Sequence, residues 1–589
     1  MTRKTATPPA GIARRDILGG SLAGGAALAG MFAASPAPAA PLPKKWDLEV
    51  DVVALGTSPG GLVGAIRAHD HGMKCAVLEV ADLIGGGTAV SNGGMWIPLT
   101  RSQAAQNIPD SLETATAYVE STGFGRVEAA KLRAYFENGT KAVDYLNEKT
   151  ACRIVGSIGG DYFTHNENSR PGRDVWPDLA HGARLMQERP ELFANVRRPY
   201  LPMEVGGQPG VTKELGGGNI LIGSLAASCA DRNIPIHLNT RAQRLISDDG
   251  RVIGVQAEKE GKPFFVKARR AVLIATGGYE HNQQMLQAFS LLNAPVATGI
   301  PPHNKGDGIL MGMELGAAIG LMDQGVWMAG LHTPGENFPD MPWPSESNCV
   351  VFLPGQILVN RKGQRFCDES FFPAHFKGMT QQPTNKEAEW PNWPCWVIMD
   401  QAYRDKMPFG SAAPGTGMKS WLTRADTLRA LAQAIGIDAD GLEATVKRFN
   451  ENSKKGVDPD FGRGSDRLNP IVREVRDRAR LKAKNATVAA YYVEGSRIGT
   501  LEKGPYYAAR IGIGTNGTRG GLLTTPDAQV LDVQGKVIPG LYATSNAAAQ
   551  TLFGGGYTSG MSIGASLVFG YVAANAIAAE GSGKKEARG

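Results

Sequence analysis

The chain has no Cys-x-x-Cys pair. Its six cysteines, Cys75, Cys152, Cys229, Cys349, Cys367 and Cys395, are scattered along 589 residues, which excludes a zinc ribbon, a thioredoxin-like redox pair and attached haem. One disulfide in an oxidising compartment stays open, with no assignable pairing. A basic block is also missing, because the net charge of +6 is spread over the whole length. Aromatic residues make up 7% of the chain and do not interleave with basic ones, so nucleic acid is not an expected partner. Beyond the N-terminus no segment reads as transmembrane, and no metal is expected. Glycine, by contrast, is abundant at 75 residues, many in tight clusters of the kind found where backbone approaches a ligand. With 42% hydrophobic and 20% charged residues the composition is globular. The length calls for two domains, or one with a large insertion.

Residues 1–40 read as a twin-arginine export signal. Arg14 and Arg15 precede a weakly apolar alanine-glycine run, with small residues suited to cleavage near Ala39, although Ile17 replaces the usual aromatic. The run is too short and too poor in leucine for a comfortable membrane span. The expected location is the periplasm. Because that pathway moves folded proteins, often around a cofactor, a cofactor is expected as well.

Residues 48–79 then read as strand, glycine turn, helix and strand. Residues 50–55 form a buried strand; Gly56, Ser58, Gly60 and Gly61 make the turn; residues 62–71 supply an amphipathic helix. The helix N-terminus offers free N–H groups to a pyrophosphate, and Glu79 stands where it would accept from a ribose 2′-hydroxyl. The middle glycine of the usual fingerprint is displaced by Ser58 and Pro59, so the strand, the helix and the acidic residue about twenty positions on carry the inference. Directly after comes GGGTAVSNGGMWIP (85–98), with Gly86, Gly87, Thr88, Ser91, Gly93 and Gly94. A second glycine-rich wrap beyond the acidic strand end suits the diphosphate and isoalloxazine of a flavin; a nicotinamide enzyme has no need of it. The strand at 270–274 runs into Ala275, Thr276, Gly277 and Gly278, a close backbone approach to the adenine side. Asp307 in NKGDGILMGMELGAA, Asn546 in GLYATSNAAA, and Ser562 and Ile563 just ahead of the last helix complete the expected FAD cradle. That helix, expected after Gly564, would point its N-terminus at the pyrimidine edge, where negative charge builds on reduction.

These motifs resemble the flavin-binding family shared by fumarate reductases, succinate dehydrogenases, aspartate oxidases and 3-ketosteroid dehydrogenases. GGGTAVSNGGMWIP, MDQGVWMAG, DPDFGRG, KGPYYAARIG and FGYVAA are most similar to the ketosteroid dehydrogenase branch, over about residues 48–580. The resemblance implies an α/β fold: a Rossmann-like FAD-binding domain split into 48–298 and 499–582, with an inserted α+β substrate-capping domain at 299–498. Within the insertion, 331–396 is proline-rich and irregular, 424–452 reads as two amphipathic helices, and 471–497 as a solvated charged helix. Residues 583–589 read as a disordered tail.

For the chemistry, the resemblance implies Tyr557 at the substrate carbonyl, with Gly560 in the same turn and Tyr162 as a second active-site phenol. Tyr557 followed by Ser559 is more like the Δ4-(5α) enzymes than the Δ1 enzymes, whose tyrosine precedes a proline- and glycine-rich turn. The family's base tyrosine is absent: Phe371, Phe372 and Pro373 occupy the candidate positions, with His375 nearby. The arginines of the fumarate reductase branch are missing too, with Pro373 and Met561 or Ser562 in their places, and Gly517 stands where that branch has a histidine. A small dicarboxylate is therefore not the expected substrate; the resemblance implies a bulky apolar, steroid-like ketone instead, which Phe371, Phe372, Trp327, Met328 and Phe553 would suit. The ketone would be desaturated by α-proton removal and hydride transfer to flavin N5, with a quinone or soluble carrier taking the electrons. Two alternatives stay open, an enone or acrylate reductase and a non-catalytic flavin or apolar-ligand binding protein; so does peripheral association with a membrane.

Overall fold

The sequence LEVDVVAL forms the strand Leu48–Leu55, in which Val50 and Val52 to Leu55 are all buried. Such continuous burial marks a parallel strand covered on both faces. It pairs in parallel with Cys75–Leu78 on one side and Lys262–Ile274 on the other. In this computed structural model, which describes residues 42–158, 161–198, 216–292, 296–333, 345–347, 354–369, 376–381, 389–406, 409, 412, 414–463, 498–558 and 560–581, the sheet continues through Ile236–His237 at one edge. At the other it continues through Val537–Ala543 and Gln529–Leu531. Strands from both ends of the chain thus share one sheet, and the fold is α/β. The export segment, Ser559, Phe371, Phe372, Pro373, His375, the 471–497 segment and the 583–589 tail lie outside the described residues.

Pro59–Asp70 is the first helix. Ser58 caps it by accepting from Gly61 N at 3.4 Å, and Pro59 sits at its first position, where no N–H is needed. It crosses the last helix, Met561–Gly581, with the two backbones in contact: a Cβ on Gly570 would stand 2.7 Å from Gly60 Cα. The last helix begins at Met561 rather than after Gly564, because the residue that turns the chain into it is Gly560, at φ +78°. It is long and apolar enough to cross a membrane, yet 72% of its apolar window is buried inside the protein.

A second sheet runs in the order Ser345–Ser347, Gly325–His332, Tyr506–Thr518, Cys395–Asp400, Gln356–Val359, with Thr423–Ala425 also on Tyr506–Thr518. Hydrogen bonding places 506–518 at the centre of this second sheet, so residues after 499 share it with strands from 325–400. The same sheet corrects the reading of 331–396 as irregular. Gln356–Val359 is wholly buried and Cys395–Asp400 nearly so, and apolar runs this short show no usable periodicity. Helices Leu428–Ile435 and Ala439–Ser453 cover this sheet, packing Leu431, Leu442, Val446 and Phe449 on Ile357, Ile398 and Ala508. The described cysteines Cys75, Cys152, Cys229, Cys367 and Cys395 are all buried and free.

Candidate active site

Gly56 ends the first strand at φ +98°, and a Cβ there would lie 2.6 Å from Ala275 O, so only glycine lets this turn close against the 275–278 loop. Glu79, at the end of the neighbouring strand, holds the turn by accepting from Thr57 N at 3.0 Å, from Thr57 Oγ1 and from Ala81 N at 3.1 Å. Gly60 N donates to Ser566 Oγ at 3.0 Å, which ties the turn to the last helix. Further on, Gly86 has φ +47° and nothing within 4 Å of where its Cβ would be, while Gly87 abuts Ile300. Ser91 Oγ donates to Thr88 O at 2.7 Å and accepts from Gly93 N at 3.1 Å. Gly93 and Gly217 touch backbone to backbone, and Gly94 lies against the Trp176 ring.

Across the turn, Gly277 stands against Asn304, Gly278 against Thr518, and the Thr276 hydroxyl is buried with no partner. The helix Asp307–Glu314 packs on Thr276 through Gly308, while the Asp307 carboxylate is engaged at the surface by Arg241 at 2.9 Å. Asn546 Oδ1 accepts from Gln550 Nε2 at 2.7 Å, and Gln550 Oε1 accepts from Ser562 Oγ at 3.3 Å, beside Ile563. A glycine turn at a helix N-terminus, open space over Gly86 and an orphaned Thr276 hydroxyl all fit a long diphosphate-bearing cofactor.

The catalytic candidates meet where this cradle touches the last glycine-rich turn. Gly560 packs on the Gly94 and Met95 backbone, a Cβ there falling 2.6 Å from Gly94 O. Tyr557 is half-buried against Val326 and Met328. The Tyr162 ring meets it edge-on, centroids 6.2 Å apart, and the Arg519 guanidinium lies 5.6 Å from its centroid. Between the two tyrosines Thr558 is fully buried, its Oγ1 accepting from Tyr162 N at 2.7 Å and from Tyr118 OH at 3.4 Å. Beneath Tyr162, Asp161 accepts from Trp96 Nε1 and Arg170 N, both at 2.8 Å. Arg173 bridges Asp161 at 2.7 Å and Asp110 at 2.8 Å. Burial pushes the Tyr557 phenol up to about 12, against the pull of Arg519 and of the Gly560 backbone hydrogen bond.

A family model described as an FAD binding domain matches residues 51–563. The chain belongs to that family. It is 31% identical over 584 residues to 3-oxosteroid 1-dehydrogenase of Mycobacterium tuberculosis, covering 90% of this chain and 98% of that one. It is 30% identical over 563 residues to 4-oxocyclohexanecarboxylate 2-dehydrogenase of Sinomonas cyclohexanicum, covering 90% and 93%. The crystal structure of 3-ketosteroid delta1-dehydrogenase from Sterolibacterium denitrificans, in complex with 1,4-androstadiene-3,17-dione, superposes with a TM-score of 0.78 at 31% identity, over 90% of this chain and all of that one. The flavoprotein therefore stands in the 3-ketosteroid dehydrogenase branch and uses FAD.

Several residues of this flavoprotein's site escape a reading of the sequence alone. Gly216, Gly217 and Gly218 form a third glycine cluster, in GGGNILIG, that opens the helix Gly217–Ala230 against Thr88, Ser91 and Asn92. The signal is visible: a glycine triplet ahead of an apolar run. Ser566, Thr558, Asp161 and Arg173 carry no local signal, because their partners lie far away in sequence. Arg519 does stand out, as a lone cation between the glycines of GTRGG.

Proposed function

We propose that the flavoprotein desaturates a ring carbon–carbon bond beside the ketone of a steroid-type substrate. What carries this reading is the meeting of Tyr557, Tyr162 and Gly560 on the Gly94–Met95 edge of the cofactor cradle. FAD, when bound, supplies the two-electron acceptor. The Tyr557 hydroxyl donates to the ketone oxygen, and the bond strengthens as negative charge grows there on loss of the α-proton. Tyr162 presents a second phenol to the same space, held by its backbone bond to Thr558. Val326 and Met328 line the apolar side and exclude water from the ring. The same chemistry on a smaller cyclic oxo acid is the second reading, supported by the cyclohexane-ring relative at nearly equal identity.

Anaerobic titration of the holoprotein with saturated and 4-ene 3-ketosteroids, and with 4-oxocyclohexanecarboxylate, separates these readings through the yellow flavin absorbance. Bleaching by a steroid supports the first, bleaching by the oxo acid alone moves the assignment to the second, and bleaching by neither overturns both. A quinone or soluble carrier as electron acceptor fits the reading, and its test is which of them restores the bleached flavin's colour. Export through the twin-arginine route rests on Arg14 and Arg15; their replacement by lysine should hold the protein in the cytoplasm, and unchanged export would refute it.

A further inference from the structure

Three arginines are among the largest fully buried side chains of the described residues: Arg173, Arg463 and Arg519. Two of them have carboxylates. Arg173 bonds Asp110 and Asp161, and Arg463 lies 3.2 Å from Glu369. Arg519 differs. Its Nη1 donates to Gly556 O and its Nη2 to Gly554 O at 2.6 Å, while Nε is buried without a partner. Among the described residues no carboxylate stands within ion-pair distance of it, and the acids that act on it at longer range are the Tyr557 phenol and Asp323. Asp323 is already held by Arg126 through two bonds of 2.8 and 3.0 Å.

A buried cation without a counter-anion is unfavourable. Such a charge is kept where negative charge arises during the working cycle, because a fixed cation then needs no reorganisation to stabilise it. The backbone around Arg519 is built to hold it in place. Its N–H donates to Gln324 O at 2.9 Å, its C=O accepts from Gln550 N at 3.1 Å, and Thr518 before it is bonded by Glu280. The guanidinium ties down the carbonyls of the turn whose next residue is Tyr557, and its charge lies toward that ring.

We propose that Arg519 is a positioning residue that acts through Tyr557, its uncompensated charge making the phenol a stronger hydrogen-bond donor to an oxyanion forming on the bound ligand. This rests on the reading of the Tyr557 site as a ketone site. The ligand class it favours is the enolate, or a phenolate of the same shape, over the neutral ketone. A role in holding the turn alone would treat neutral and anionic ligands alike.

The test uses the holoprotein with two probes, 1,4-androstadiene-3,17-dione as the neutral ketone and estradiol, whose ring hydroxyl ionises. Binding is followed by the change in the flavin spectrum, and the ionisation of bound estradiol by its absorbance as pH is varied. In R519Q the ionisation equilibrium of bound estradiol should shift about tenfold toward the neutral phenol, with ketone affinity within about threefold of the wild type. R519K, which keeps the charge and gives up the two-point hold on the turn, should recover most of that shift. Equal losses for both probes, with no shift in ionisation, would overturn the proposal. If R519Q does not retain flavin, R519K decides: ionisation within about threefold of the wild type supports the charge role, and a tenfold loss overturns it. A wild-type protein that binds neither probe would overturn the ketone-site reading, and this inference with it.

Discussion

Replacing Arg173 by methionine keeps much of the side-chain volume and removes the charge, which strands Asp110 and Asp161. Their side chains are 3% and 0% exposed, so water cannot take the place of the guanidinium. Removing one partner of a buried ion pair costs about 3–5 kcal/mol, and two stranded carboxylates place this variant at the upper end, about 5 kcal/mol. An unfolding entropy of roughly 2.1 cal/mol/K per residue makes about 1.2 kcal/mol/K for a chain of this length, so Tm should fall by only about 4 °C. The local consequence is larger. Asp161 anchors Arg170 N and the loop that carries Tyr162, so amide exchange in 161–170 should quicken far more than in the strand Leu48–Leu55. The pH dependence fixes the cause. Burial already raises the Asp161 carboxyl, and Arg173 is the largest opposing influence. Without Arg173 the folded form binds a proton more readily than the unfolded form does. The variant's deficit should therefore shrink as pH falls through the raised carboxyl range and be full above it. Calorimetry at about pH 5 and about pH 8, with exchange measured on the same samples, is the assay. A deficit independent of pH, or exchange in 161–170 unchanged from the wild type, would refute the reasoning.

Thr558→Val should keep its volume and leave Tyr162 N without its acceptor, costing about 1–3 kcal/mol and lowering kcat more than it raises KM; kinetics within twofold of the wild type would show that Thr558 does not hold Tyr162. Gly56→Ala forces a positive-φ backbone and a Cβ onto Ala275 O, so flavin affinity should fall at least about tenfold while the far sheet stays folded; equilibrium dialysis with FAD checks it, and native affinity would remove Gly56 from the cradle. Activity that needs the protonated Tyr557 phenol should persist through neutral and mildly alkaline pH and be lost only as pH rises toward about 12. An alkaline limb near neutrality that vanishes in Y557F would contradict the raised phenol.

What lay within reach of the sequence was whatever depends on near neighbours. The 56–61 turn and its helix follow from capping and left-handed backbone needs that Gly56, Ser58 and Pro59 meet among themselves. The two helices over 428–453 follow from leucine spacing with a threonine cap and a glycine stop. The strand Gln356–Val359 was not legible, because three apolar residues after Gln356 carry no period of their own. Nor was the place of 506–518 in the second sheet, since a strand's partners are chosen by packing across the whole chain. The substrate site divides in the same way. Tyr557 announces itself as a phenol on a glycine-rich turn before a helix. Its setting, though, is made by contacts that cross the chain: Thr558 meets Tyr162 over 396 residues, and Arg519 reaches Tyr557 from another strand end. Local stereochemistry determined the cradle, whereas burial, which exists only once distant segments pack, decided which charge stands uncompensated beside the tyrosine.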